Sequence, residues 1–401
     1  MKRAACTIVS LNFLPYARVL CNSFLRHHPD CDFYLLLVDR IPADLDLSRE
    51  ECRVVAVEDL GIPDFLSVAF KYEILELNTI VKPTFLKWLF AQDYDQLVYL
   101  DPDIFVYRRL NAVFEALDRS AIAITPHCLT PNEGDAGSET ILLKGGVFNL
   151  GFVAVSKCEE AERFLNWWEQ RCLDFGFNEP GKGTAFDQKW INLVPCFFER
   201  VAILKHPGCN VAWWNLYERE LSLAGGELVV NGSVPLEFFH FSGISVDSGD
   251  KLSRRNSPFT LSNRPDIGPL YQQYRAGLED AGVREFKTRP YAFGSFENGQ
   301  YINRLTRSLY AANLQVFQGE NPFSPSSRFY HWARSIGIFG THDSANAFNS
   351  ETYAKTDLRL RILRKLFRLA LRVLGADRYT LLLKYLAWVS IPLNQHEIFP
   401  A

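Results

Sequence analysis

The sequence predicts an α/β fold, a mixed and mostly parallel sheet with helices on both faces, followed by a mainly helical C-terminal extension. Short apolar runs alternate with helix-period segments through the first half, the pattern of a parallel sheet covered by helices. That alternation fades near residue 245, and the last portion turns basic and amphipathic. At 401 residues, with 48% apolar and 22% charged content, the chain is long enough for a main globular domain plus an extension. The expected bounds are 1–250 and 251–401.

Thr7 to Leu11 reads as the first strand, followed by a helix from Pro15 to His27. Phe33 to Val38 is a second buried strand and Arg53 to Val57 a third. Lys82-Pro83 opens a helix, with Pro early, where its missing N–H costs nothing. This helix leads to the apolar strand Leu97 to Leu100. Ala121 to Thr125 and Val147 to Val155 add strands, separated by the Pro/Gly/Asp/Asn-rich loop Thr130 to Ser138. Ala161, Phe164, Leu165, Trp168, Cys172 and Phe175 follow the rhythm of an amphipathic helix facing the core. Asp247 to Pro265 is a polar loop or boundary. Between Asp357 and Lys384 eight Lys or Arg stand against two Asp, with Leu360, Leu363, Phe367 and Leu371 on one helical face. This basic amphipathic segment, 357–390, fits either an anionic membrane surface or docking on its own domain.

The net charge of −3 argues against a nucleic-acid partner. Nine Cys, an odd number with no Cys-x-x-Cys pair, read as reduced and mostly buried thiols rather than a disulfide or zinc framework. Asn12 ends the N-terminal apolar stretch too early for a signal peptide, and no apolar window is long enough to span a bilayer. The expected location is cytoplasmic, with peripheral attachment to the inner face of the cell membrane as the option left open by the C-terminal helix.

Asp101-Pro102-Asp103 directly follows Leu97-Val98-Tyr99-Leu100. On an extended backbone, residues two apart share a face, so two carboxylates would emerge together at a strand end. Ligand crevices of α/β sheets lie at such ends, and Mg²⁺ takes one or two carboxylates plus substrate phosphates. A simple Asp/Pro turn is the alternative. Gly145-Gly146-Val147-Phe148-Asn149-Leu150-Gly151 allows close backbone approach to a ligand, with Asn149 offering donor and acceptor, or is a glycine-rich strand edge. Asp187-Gln188 begins a helix-like run to Asn192, where Asp187 is a site carboxylate or an N-cap. His240 lies in the aromatic strand Phe238-Phe239-His240-Phe241, as a core residue or a third metal ligand.

In this order, from Thr7 to Gly243, these elements resemble the GT-A nucleotide-sugar glycosyltransferases, and among them glycosyltransferase family 8. Asp101-Pro102-Asp103 is similar to the family's D-x-D metal motif, Phe148-Asn149-Leu150-Gly151 to its F-N-x-G strand, and Asp187-Gln188 through Asn192 to its D-Q-x-x-x-N segment. His240-Phe241-Ser242-Gly243 resembles the segment whose His completes the metal shell, and Asn12-Phe13 the loop carrying a base-stacking aromatic. Lys82 falls where the family often has a basic residue facing the diphosphate.

Two features depart from the pattern. Ser10 and Leu11 stand where an acidic residue reads uracil, and Ile244-Ser245-Val246 replaces a Lys-Pro-Trp. A phosphate-facing cation would then come from Lys251, Arg254 or Arg255. The run from Phe296-Glu297-Asn298-Gly299 through Arg307, Tyr310 and Phe323 looks like an appendage of bacterial polysaccharide glycosyltransferases.

The resemblance implies a hexose-type transfer from a nucleoside-diphosphate sugar, with a UDP-sugar expected, to a glycan, lipid-linked or protein acceptor. It implies Mn²⁺ or Mg²⁺ held by Asp101, Asp103 and His240, and donor contacts from Asn12, Phe13, Lys82, Asp101, Asn149, Gly151 and Gly243. Asp187 and Gln188 would be catalytic, and retention of configuration is implied. Inversion would instead recruit Asp187 as base. A phosphohydrolase using the Asp pair, and a sugar-nucleotide or glycan-binding scaffold without turnover, are the alternatives from other classes.

Overall fold

The computed structural model describes residues 1–255, 257–340 and 358–401. Asn256 of the polar loop and Asp357 at the start of the basic segment lie outside the described residues. The strands are β1 (Arg3–Val9), β2 (Asp32–Leu37), β3 (Arg53–Ala56), β4 (Gln96–Leu100), β5 (Ile104–Val106) and β6 (Ile122–Pro126). They continue with β7 (Phe148–Ser156), β8 (Val201–Ile203), β9 (Leu221–Ala224), β10 (Glu227–Val230), β11 (Val234–Pro235) and β12 (Phe238–His240).

Seven strands form one sheet in the order β3-β2-β1-β4-β7-β6-β8. All its neighbours pair in parallel except β7, which runs antiparallel to β4 and β6. The mixed, mostly parallel α/β class read from the sequence is therefore the observed one. β4 and the first eight residues of β7 are buried throughout, as strands covered on both faces must be. Val98 and Leu100 of β4 join Leu14, Ala17, Leu20 and Phe24 of the helix Leu14–His27 in one core cluster. On the opposite face, Tyr99 meets Lys82 of the helix Lys82–Phe90, which packs on the helix Glu159–Phe175.

β5 leaves the sheet and pairs antiparallel with β12, with Ile104 opposite His240. A second core forms beside this ribbon, where Phe241 stacks on Tyr274 of the helix Gly268–Asp280 at 4.1 Å between centroids.

Two local readings differ from the sequence expectation. The expected loop at Thr130 to Ser138 gives way to a helix, Ala136–Gly145, which begins inside it. The run after Gln188 is a 3-10 helix, Lys189–Leu193, with no side-chain N-cap; the Asp187 carboxylate turns to Lys82 instead.

The chain forms two compact units, Met1–Phe65 with Ile74–Ala292, and Leu66–Glu73 with Phe293–Ala401. In the second, Phe70 is ringed by Phe296, Tyr310, Phe323 and Phe329 at 4.7 to 5.5 Å. Arg307 donates to the carbonyls of Ala69, Phe70, Tyr72 and Phe293. Of the residues singled out in the C-terminal run, Phe296, Arg307, Tyr310 and Phe323 are thus the interior of this unit, whereas Glu297, Asn298 and Gly299 are exposed. Its helix Leu358–Val389 breaks at Gly375, which holds φ +73, and among the described residues of that helix only Val389 is buried. No helix among the described residues is long and apolar enough to cross a membrane.

Candidate active site

Asp101 stands one residue beyond β4, and its N–H donates to the Gly151 carbonyl at 2.7 Å, extending the β4–β7 ladder by one step. The chain then turns, with the Ile104 N–H returning to the Asp101 carbonyl at 3.0 Å and Pro102 second in the turn, where its fixed φ fits. The two carboxylates therefore converge through a turn rather than through strand alternation, so the turn and the paired site are one feature. Where the turn runs into β5, Asp103 meets His240 across the ribbon: Nε2 lies 3.0 Å from Asp103 Oδ1 and 3.9 Å from Asp101 Oδ2. One ligand atom from each of the three lies within 4.8 Å of the others.

A chain of hydrogen bonds sets the polarity of this group. The Gly151 N–H donates to Asn149 Oδ1, so that oxygen is an acceptor and the amide NH₂ of Asn210 points to it, at 3.0 Å. The same NH₂ reaches Thr125 Oγ1 at 2.8 Å. Asn210 Oδ1 is then left to accept from His240 Nδ1–H, at 3.2 Å. With the proton fixed on Nδ1, Nε2 faces the carboxylates; such outer partners fix the tautomer of metal-binding histidines. Tyr99 donates its hydroxyl to Asp101 Oδ1 at 2.7 Å. Asn149 Nδ2 donates to His127 Nε2 at 3.2 Å, and burial pushes His127 down to about 4, keeping it neutral.

Burial opposes the charges on Asp103 and His240, but their contact holds the carboxyl below its ordinary range and the imidazole above its own. Arg255, exposed and next to Gly243 in space, is felt by Asp103, His240 and His127. Two carboxylates and an imidazole form an oxygen-rich donor set that fits Mg²⁺ or Mn²⁺. The close approach depends on Gly151, where a Cβ would meet His240 Cε1 at 2.4 Å and Asn149 Oδ1 at 2.8 Å.

A bulge in β7 makes room for this. Pairing with β6 jumps from Ile124↔Val153 to Thr125↔Asn149, leaving Leu150 to Phe152 outside the ladder. Gln188 holds the bulge from behind, accepting from the Leu150 N–H at 3.1 Å and donating to the Gly145 carbonyl at 3.0 Å. Lys82 is buried, donates to the Leu150 carbonyl at 2.7 Å and pairs with Asp187 Oδ2 at 2.7 Å. Burial raises the Asp187 carboxyl although Lys82 opposes the rise. Phe186, immediately before it, holds φ +53, an uncommon conformation for a bulky residue.

Asp101, Asp103, His240, Asn149, Gly151, Gln188, Asp187 and Lys82 are therefore joined in one connected network. Asn12 and Phe13 lie on the turn after β1, where Phe13 stacks on Tyr16 at 4.6 Å. Gly243 holds φ +74, where a Cβ would lie 2.4 Å from Ser253 Oγ. Sequence reasoning missed Tyr99, Thr125 and His127. Tyr99 lies two residues before Asp101 on the same strand, a legible signal; Thr125 and His127 depend on the β6–β7 register, which no local pattern announces.

No family model matches the chain. Protein YfnF of Bacillus subtilis (strain 168) is 26% identical over 278 residues, covering 68% of this chain and 91% of YfnF. YfnD of the same strain is 26% identical over 282 residues, covering 68% of this chain and 88% of YfnD. Among solved structures, galactosyltransferase LgtC in complex with donor and acceptor sugar analogs matches at TM-score 0.38 and 16% identity, over 69% of this chain and 95% of LgtC. The glycosyltransferase GlyE of Streptococcus pneumoniae TIGR4 matches at TM-score 0.41 and 17% identity, over 74% of this chain and 67% of that one. At such scores the likeness carries no argument about activity.

Proposed function

We propose that this chain is a metal-dependent glycosyltransferase that moves a hexose-type sugar from a nucleoside-diphosphate sugar to a glycan, lipid-linked or protein acceptor. The observation that carries the reading is the Asp101–Asp103–His240 cluster at the end of β4, with His240 Nε2 turned to both carboxylates. The motifs resembling GT-A family 8 enzymes supply most members of the network around it. Asp101, Asp103 and His240 would hold Mn²⁺ or Mg²⁺, which as a Lewis acid stabilises charge developing on the leaving diphosphate.

The chain's own residues then have distinct tasks. Asn149 and Gly151 hold the wall of the site open beside His240, and Arg255 offers a cation to the phosphates in place of the missing lysine. Asn12 and Phe13 would carry the nucleoside side, with a UDP-sugar as the expected donor. Asp187 is 2% exposed and engaged with Lys82, so its task is to position Gln188 and the β7 bulge rather than to take a proton from an acceptor hydroxyl. That arrangement favours retention over inversion, because no other assigned carboxylate is offered as base.

The C-terminal helix fits peripheral attachment at an anionic membrane surface. Leu358, Ile362, Leu366, Leu369 and Val373 are all at least half exposed. Arg361, Arg364, Lys365, Arg368 and Arg372 share a separate arc of the helical wheel.

The deciding experiment screens the full chain against nucleotide sugars with Mn²⁺, reading thermal shift and slow donor hydrolysis. One donor class should stabilise the protein only with metal, and Asp103→Asn should abolish both responses. No metal-dependent response to any donor rejects the transferase. Release of phosphate from simple phosphate esters, without donor hydrolysis, favours the phosphohydrolase.

A further inference from the structure

A second group of ligating side chains lies in the first unit, built from residues the site above does not use. His206, Cys209 and Glu237 each offer one ligand atom, and these lie within 4.8 Å of one another. Cys209 Sγ is 3.6 Å from His206 Nδ1 and 3.4 Å from Glu237 Oε2. Zinc in tetrahedral coordination, with sulfur at about 2.3 Å and nitrogen or oxygen at about 2.0–2.1 Å, spaces such atoms about 3.5 Å apart. We infer that His206 Nδ1, Cys209 Sγ and Glu237 Oε2 form a zinc site, with a solvent molecule as fourth ligand.

The surroundings agree with the checkable features of a metal site. The His206-to-Cys209 turn is closed by the Cys209 N–H to the His206 carbonyl, at 3.0 Å. It is pressed against the chain before β12: the Glu237 N–H donates to the Gly208 carbonyl at 2.9 Å, and a Cβ on Gly208 would lie 1.9 Å from the Pro235 carbonyl oxygen. Glu237 keeps its other oxygen on the Ala112 N–H at 2.9 Å, which aims Oε2 at the thiol. Cys209 and Glu237 are buried, whereas His206 is half-buried and marks the entry path. Capture of the ion replaces the thiol proton that Cys209 gives to Glu237, and that proton leaves to solvent. Thiolate and carboxylate then balance the two positive charges, while the nearby Arg219 has its own partner in Glu218 at 3.7 Å.

The site is tied to the candidate active site through the backbone. Cys209 precedes Asn210, which orients His240 and Asn149, and Glu237 begins the segment that ends at His240. The zinc would therefore fix the turn that holds Asn210.

The test uses the full chain, stripped with chelator and titrated with Co²⁺ under reducing conditions. A thiolate-to-cobalt charge-transfer band saturating at about one equivalent per chain is expected, and zinc should compete it away. Cys209→Ser should lose the band and Asp103→Asn should keep it, which separates this site from the Asp pair, where no thiol is present. If Cys209→Ser does not fold, His206→Ala, altered at a half-buried position, should weaken Co²⁺ binding at least tenfold. Absence of the band in the unaltered chain, its persistence in Cys209→Ser, or unchanged affinity in His206→Ala would overturn the assignment. None of these readouts depends on the donor or on transferase activity.

Discussion

Tyr99 illustrates how a residue outside the obvious motif sets the geometry of the site. Its hydroxyl is 2.7 Å from Asp101 Oδ1, so one carboxylate oxygen is fixed and the other is turned toward His240. Tyr99→Phe should leave the fold intact and weaken activating-metal affinity by about 10–100-fold, the usual effect of removing an outer partner. Mn²⁺ dependence of donor hydrolysis measures it; an unchanged dependence would remove Tyr99 from the site. His28 poses a different residue-scale question. Its Nδ1–H faces the Phe24 carbonyl at 3.0 Å and its Nε2 accepts from the Leu110 N–H at 3.0 Å, so both nitrogens are committed to the neutral ring. Burial is the main cause that lowers its pKa to about 4. An unfolded histidine titrates near about 6.5. Between these values the unfolded chain binds a proton that the native chain refuses. This contribution is therefore full above about pH 6.5 and is lost progressively down to about pH 4, on the order of 3 kcal/mol in all. Urea unfolding across that window should show the decline. His28→Gln should reduce the slope without abolishing it, because His127, His27 and His206 are also lowered by burial; an unaltered slope would contradict the assignment. The His28 tautomer could not be read from the sequence, since it needs the Leu110 N–H, 82 positions away, as well as the nearby Phe24 carbonyl.

At the scale of elements, most strands and helices around the site were legible, because strands buried on both faces are continuous apolar runs. Gln96–Leu100 and Phe148–Ser156 match the predicted strands to within a residue. What was not legible is the bulge in β7, which depends on registering three strands at once. Nor was β5 or its pairing with β12: the aromatic strand at Phe238 was read, but Ile104–Val106 is too short to carry a period. Gly151 is where these two features meet. Gly151→Ala would drive a methyl into His240 and Asn149, and because both belong to the hydrogen-bonded chain neither can move alone. Donor hydrolysis should fall by at least about 100-fold, and the overpacking should lower stability by about 1–3 kcal/mol; near-normal turnover would show that the bulge relaxes. The Lys82–Asp187 pair ties the helix Lys82–Phe90 to the segment ahead of Gln188, with both side chains out of solvent. Lys82→Met should cost about 3–5 kcal/mol by stranding Asp187, and adding Asp187→Leu should recover part of it. Chemical denaturation of the two variants provides the check, and an equal loss in both would contradict a coupled pair.

For the whole molecule, charge is divided along the chain. The net charge is −3, yet the C-terminal segment carries eight basic residues against two Asp, so the remainder is the more acidic part. The sequence showed this division, and it showed the apolar stripe through Leu363, Phe367 and Leu371. It did not show how exposed the described residues of the helix are, because burial depends on neighbours rather than on period. Removing the whole segment would be a poor test of its role: the short helix Pro392–Glu397 packs on the helix Arg304–Ala312, and Asn394 is buried there. Exposed charges can be altered without touching that contact. Replacing Arg361, Arg364, Lys365 and Arg368 by Gln removes four cations from one arc and leaves the apolar arc unchanged. Each basic residue near an anionic surface contributes about 1 kcal/mol. Binding to vesicles containing phosphatidylserine should therefore fall by about 100-fold or more, and the unaltered chain should release as salt rises. Donor hydrolysis in solution should be unaffected, since these residues lie outside the network at Asp101. Equal vesicle binding by the variant and the unaltered chain would reject the membrane role and leave the helix as a surface for another partner.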